Sequence, residues 1–172
     1  MFRSTPALAQ FLESDENTIS AIVDGGCDTT VCGSTWRLLA TTSRKVDIQG
    51  FSANLQKKNI PIVSAVSVAV INGERFLLRV NEALYLPTNA NTLLSVIQLR
   101  EFGVIVDDCA KRHQGQQLLQ VDDVVLPLTL KNGLMVLTLE TPNDDDLQSL
   151  SEILLTSDTP VSYTHLTLPT IA

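Results

Sequence analysis

The sequence predicts an all-β domain, a closed or nearly closed β-barrel with one short helix. Three observations predict it. Branched apolar residues recur with a period of two, as at Val66, Val68 and Val70, which is the period of a strand with one buried face. Two Asn-Gly pairs, Asn72-Gly73 and Asn132-Gly133, stand between such runs and fit two-residue hairpin turns. One apolar stretch has helical spacing: Val96, Leu99 and Gly103, opened by Ser95-Val96-Ile97-Gln98, which has the form of a capping box.

Taken in order, residues 1–18 are polar and mixed and fit an N-terminal arm or linker. Thr18 to Val23 is a strand that runs into Asp24-Gly25-Gly26. Val31 to Leu39 holds a short apolar patch in which Trp36 is expected to pack. Val46 and Ile48, alternating with Asp47 and Gln49, form a strand. Gly50-Phe51 and the polar run Ser52 to Asn59 interrupt it, and Ile60-Pro61-Ile62 restarts an extended segment. Lys57 and Lys58 suit a solvated tip. After the Asn72-Gly73 turn, Phe76 to Leu86 is the return strand, closed by Pro87, and Thr88 to Thr92 is a loop. The short helix near 95–102 ends at Gly103, where glycine suits a C-terminal cap. Val104 to Val106, Leu118 to Val125, Leu126 to Leu130 and Leu134 to Leu139 complete the strands. The domain thus spans 19–140. Residues 141–160 are expected as an acidic linker, with Asp144-Asp145-Asp146 ahead of a weakly helical Leu147 to Leu155.

Composition narrows the function. The chain has 172 residues, 44% of them hydrophobic, enough for one domain with a real core. Its formal net charge of −7 does not suit a phosphate backbone, so nucleic acid is not an expected partner. No apolar run reaches a membrane-spanning length and no secretory signal opens the chain, so a cytoplasmic protein without a membrane partner is expected. Cys27, Cys32 and Cys109 make an odd count without a Cys-x-x-Cys pair, which fits small buried thiols in a reducing compartment. Asp107-Asp108 and Asp122-Asp123 have no calcium-loop pattern and fit solvated turns. His113, flanked by Lys111 and Arg112, fits an exposed position. No metal site and no cofactor are expected.

The segment with most chemical content is Asp24-Gly25-Gly26-Cys27-Asp28-Thr29-Thr30-Val31. An aspartate at a strand end, with glycine letting the chain turn beneath it, can present a carboxylate into a cleft. Asp-Gly-Gly is also an ordinary hairpin turn. Two later segments weigh against that plainer reading. They are Leu84-Tyr85-Leu86-Pro87 with Leu93-Leu94-Ser95-Val96-Ile97-Gln98-Leu99 and Gly103, and Asn132-Gly133-Leu134-Met135-Val136-Leu137. In order and spacing the three segments resemble the protease region of copia-type retrotransposon polyproteins, and the first resembles the active-site loop of the retropepsins.

The resemblance covers about residues 20–140 and implies a retropepsin-like (acid protease) barrel with an aspartic endopeptidase activity that processes a polyprotein. Asp24 would be the catalytic aspartate. A single such loop per chain implies a homodimer, in which Asp24 and its symmetry mate share a proton and activate a water. Gly26 would let the substrate backbone approach, Asp28 would bind the substrate main chain, and Gly50 and Phe51 would belong to a flap over the cleft. Leu93 and Leu94 would pack beneath the loop. The sequence departs from the family at Gly25, where a serine or threonine usually ties the two loops together, and at Cys27, which replaces alanine. The alternative is a catalytically inactive retropepsin-fold module for dimerisation or interaction. Residues 161–172 are set aside as a tail: Val161 to Thr170 resembles a translated sequencing adapter, so His165 would carry no function.

Overall fold

The structure, a computed structural model, describes residues 19–49 and 56–159. The expected arm over 1–18, the flap residues Gly50 and Phe51, and the tail over 161–172 lie outside the described residues. The described part is mostly β. Its strands are β1 (Ile19–Asp24), β2 (Val31–Cys32), β3 (Arg37–Gln49), β4 (Gln56–Ile71), β5 (Glu74–Tyr85), β6 (Thr92–Ser95), β7 (Ile105–Asp107), β8 (Leu118–Val121), β9 (Val124–Pro127), β10 (Thr129–Lys131), β11 (Leu134–Leu139) and β12 (Glu152–Leu154). Two short helices, α1 (Val96–Glu101) and α2 (Asp144–Ser149), join them.

A nine-stranded sheet runs in the order β10-β11-β1-β6-β2-β5-β4-β3, with β12 added beside β5. Its path nearly closes on itself. Glu140, just after β11, exchanges two backbone hydrogen bonds with Val68 of β4, at 2.8 and 2.9 Å. β7, β8 and β9 form a second sheet. Their Val106, Leu119 and Leu126 join Ala21, Leu78, Leu94 and Leu99 in the main core. Removing each of these valine and leucine side chains from water contributes roughly 1.5–3 kcal/mol before entropy is counted.

Local chemistry accounts for the turns. Asn72 and Gly73 have φ of 51° and 80°, and Asn132 and Gly133 have 52° and 80°. Positive φ at both central residues matches the twist of the flanking strands, and asparagine and glycine tolerate it best. Asp122 also turns with positive φ, and Asp122 and Asp123 are exposed, as expected of turn charges. At the end of α1, Gly103 has φ of 88°. Its N–H donates to Arg100 O and that of Val104 to Leu99 O, which satisfies two terminal carbonyls.

The elements differ from expectation in three places. The interruption after Ile48 is shorter than Gly50–Asn59. β4 begins at Gln56, and Gln56 pairs with Gln49, because pairing of two extended arms satisfies backbone groups that polar side chains alone would leave to water. Leu118–Leu130 is three short strands, not two. The largest difference is at 141–160. There, Asp144–Ser149 forms α2, capped by Asn143, and β12 runs parallel to β5 with Ile153 opposite Leu78. A weak helix over Leu147–Leu155 does not form. Ile153 and Leu155 enter the core instead, while Leu147 and Leu150 cover Val66, Val68 and Leu77. Consequently β4, expected to be half-buried, is buried on both faces from Ala65 to Ala69. Cys27 and Cys32 are buried as expected, whereas Cys109 is exposed. Trp36 is buried, and His113 is exposed.

Candidate active site

Asp24 is the last residue of β1. β1 runs parallel to β6, which places Ile22 beside Leu93, Val23 beside Leu94 and Asp24 beside Ser95. The leucine pair therefore flanks the root of the loop, as the order of motifs suggested. Leu94 is fully buried in the core, and Leu93 packs against Ile22 and Val136 and against the cluster around Cys27.

Past the strand end the chain folds over its own aspartate. Asp24 is half-buried, and its Oδ1 accepts a hydrogen bond from Gly26 N–H at 2.8 Å. Gly25 and Gly26 are exposed. A Cβ at Gly26 would stand 3.3 Å from Asp24 Oδ1, so the glycine keeps the space beside the carboxylate clear. Cys27 turns inward and is fully buried, with its thiol donating to Thr29 O. Burial pushes that thiol up to about 12, which makes it a neutral packing group rather than a nucleophile. Asp28 is half-buried. Burial holds its carboxyl above the ordinary carboxylate range, partly opposed by a hydrogen bond from Thr29 Oγ1 at 3.1 Å.

The far end of the loop is stitched to the start of α1. Ser95 Oγ donates to Cys27 O at 2.6 Å, and Ser95 N–H donates to Thr30 Oγ1 at 3.1 Å. Thr30 N–H donates to Gln98 Oε1 at 2.8 Å, and Gln98 Nε2 donates to Glu82 O at 2.8 Å. The expected capping box is thus half formed. Ser95 caps the helix by accepting from Gln98 N–H, but the Gln98 side chain serves the loop and β5 instead of Ser95 N–H. Sequence reasoning missed Gln98, Glu82 and Arg44 as parts of this site. The available signal was the polar Asn81-Glu82 pair inside the return strand.

The β3–β4 arm rests on the same loop. Ile48 and Ile60 share a buried cluster with Cys27, Val31, Ile62, Leu84 and Leu86. Gly50 and Phe51, expected in the flap, lie outside the described residues. Asp24, Gly26 and Asp28 are brought together in one loop beside Leu93, Ser95 and the arm. A separate open groove lined by Phe76, Phe102, Val104, Val121, Val124 and Ile153 holds none of these residues. Among the described residues, no group of three His, Cys, Asp or Glu side chains is placed to hold a metal ion, and no helix is long and apolar enough to cross a membrane. No family model, curated protein or solved structure matches the chain.

Proposed function

We propose that this chain is a retropepsin-like aspartic endopeptidase domain that acts as a homodimer on a polypeptide, with Asp24 of each copy in the catalytic dyad. One observation carries the reading. Two motifs 68 positions apart meet directly, through Ser95 Oγ on Cys27 O, and they hold a glycine-flanked aspartate at the end of a strand. An ordinary hairpin turn would not be tied to a distant buried serine and glutamine.

In this reading one Asp24 carboxylate is the base that takes a proton from water, and the protonated partner polarises the scissile carbonyl. The exposed Gly26 leaves room for a substrate backbone, and Asp28 contacts its amides. Gly50 and Phe51 would contact the bound peptide. Two close carboxylates cannot both ionise easily, so the rate falls on both sides of an acid-shifted optimum. The testing experiment is cleavage of a polypeptide that includes the sequences flanking this domain, at several enzyme concentrations and pH values. Cleavage should vanish in Asp24→Asn and on dilution to monomer. Equal cleavage by wild type and Asp24→Asn would sink the reading.

A second reading is favoured by one specific feature. Gly25 is exposed and has no hydroxyl with which to bridge two loops. A retropepsin-like module that dimerises or binds without cleaving would suit that residue. Gly25→Ser separates the two, because an impaired enzyme gains peptidase activity and a binding module does not.

A further inference from the structure

The Asp24 loop holds itself with bonds that span only one or two residues: Gly26 N–H to Asp24, Cys27 Sγ to Thr29 O, and Thr29 Oγ1 to Asp28. Its longer ties run to Ser95, to Gln98 and to Leu84, whose N–H donates to Thr30 O at 2.8 Å. Of these, Gln98 alone continues into another irregularity of the fold. Gln98 is buried, at 3% exposure. Its amide orientation is fixed by its partners, since Thr30 N–H can only donate and the Glu82 carbonyl can only accept.

Glu82 is itself unusual. It sits in β5 with φ of 52°, where the β4–β5 register shifts between Val63 and Ala65. Outside a turn, a residue with a long side chain such as glutamate rarely holds such a conformation unless its surroundings favour it. Two contacts favour it here. Gln98 Nε2 holds the carbonyl, and Arg44 of β3 grips both carboxylate oxygens, at 2.5 and 2.6 Å. The Glu82 side chain is only 10% exposed, so this fork is better ordered than an open surface pair.

We propose that Gln98 is the positioning residue for the Asp24 loop, and that the Arg44–Glu82 pair positions Gln98, so that the β3–β4 arm and the loop move as one unit. The inference rests on the reading of Asp24 as the catalytic carboxylate. A displacement of β3 at Arg44 would be carried to the loop along Arg44, Glu82, Gln98 and Thr30. The position of the arm and the geometry of the Asp24 loop would then be linked through Glu82 and Gln98.

The amide of Thr30 reports on this chain directly, because Gln98 Oε1 is its acceptor. Hydrogen-exchange protection factors are measured by NMR on the full chain. Gln98→Leu should lower Thr30 protection about tenfold or more, and Arg44→Ala about two- to fivefold. Val68 N–H, bonded to Glu140 O across the sheet, should keep its protection in both. Unchanged Thr30 protection in Gln98→Leu overturns the positioning role, and unchanged protection in Arg44→Ala overturns the link to the arm.

Gln98→Glu guards against misfolding of the leucine variant. A neutral carboxyl can accept from Thr30 and donate to Glu82 O, whereas a carboxylate can only accept. Thr30 protection should therefore approach the wild-type value in acid and fall as the introduced carboxyl ionises. Wild type is titrated alongside, because Glu82, Arg44, Asp28 and Cys27 surround the same spot, and the difference between the two proteins is the signal. A constant difference across pH overturns the donor role. Peptidase assays separate this from the functional reading. If wild type cleaves, Gln98→Leu should lower kcat with little change in KM, and an unchanged kcat with lost Thr30 protection overturns positioning. If wild type and Asp24→Asn are equally inactive, the functional reading falls while the exchange data still decide the linkage.

Discussion

The Asp24–Thr30 loop and the Asn143–Thr156 segment both carry aspartates beside a short helix, yet they treat charge in opposite ways. In and just before the second segment, four carboxylates meet arginines. Asp146 accepts from Asn143 N–H and from Arg75, Glu140 also meets Arg75, Asp144 meets Arg37, and Glu152 meets Arg79. Next to them Thr156 is fully buried and exchanges hydrogen bonds with the Asn81 backbone, both at 2.7 Å. In the loop the anchoring is done by neutral groups, Ser95, Gln98 and Thr30, and the aspartates take hydrogen bonds from a glycine amide and a threonine hydroxyl. Charge spent on arginines fastens a segment to the sheet. In the loop, neutral side chains do the fastening instead.

The largest expected effect tests whether the second segment belongs to the fold. Leu155 is fully buried in the main core, and its N–H donates to Arg79 O at 2.9 Å. Leu155→Ala should cost about 2–5 kcal/mol in urea unfolding. A cost near zero would return 141–160 to the status of a linker and dissolve the comparison.

Next is the cap. Asn143 Oδ1 accepts from Asp146 N–H at 2.8 Å, and Asp146 answers with a bond from Asn143 N–H at 3.0 Å. Asn143→Ala should cost about 1 kcal/mol. That loss should be confined to the segment, leaving amide protection in the Asp24 loop unchanged.

The two aspartates also predict opposite slopes of stability against pH. The Asn143 N–H, with Arg75 second, holds the Asp146 carboxyl below the ordinary carboxylate range. The unfolded chain therefore takes up this proton first as pH falls. Stability from Asp146 is full above an ordinary aspartate value of about 4 and is lost as pH drops through the lower folded value. Burial holds Asp28 above that range, so the unfolded chain releases this proton first as pH rises. Its contribution falls between about pH 4 and the raised folded value and stays low above it. Relative to wild type, Asp28→Asn should gain stability as pH rises through that window, and Asp146→Asn should lose less below it. Parallel pH profiles for the two variants would break the contrast.

Much of this architecture was legible because its signals are local. Asn72-Gly73 and Asn132-Gly133 specify turns by φ alone, and Ser95 and Gly103 bracket α1 by capping chemistry. The meeting of Asp24 with the Leu93-Leu94 pair was legible only through the order of motifs, since no local rule sets a parallel β1–β6 register. The clasp over 141–156 was not legible. Three aspartates look like a solvated run until Arg37 and Arg75, far away in sequence, are brought beside Asp144 and Asp146. β12 is three residues long, too short for periodicity to reveal. Gln98 hid for a related reason, because a residue that completes a familiar helix-start pattern gives no sign that its side chain is used elsewhere.

The smallest expected effect on stability falls at Gly25, and there it sharpens the contrast most. A Cβ built at Gly25 meets nothing within 4 Å, and its φ lies outside the left-handed region that disfavours side chains. Serine should therefore enter without strain, and its reduced backbone freedom in the unfolded chain offsets what little order it adds. Unfolding free energy should change by less than about 0.5 kcal/mol. In the proposed dimer the effect should be larger. A hydroxyl at this exposed tip can donate across a two-fold axis, so each interface gains two equivalent bonds of roughly 0.5–1.5 kcal/mol each. Sedimentation should show tighter self-association for Gly25→Ser, and the peptidase rate per chain at low concentration should rise with it. Stronger dimerisation without any cleavage would leave the loop as an assembly device and count against the proposed endopeptidase. An unchanged dimer would remove the two-fold axis from the tip of the loop altogether.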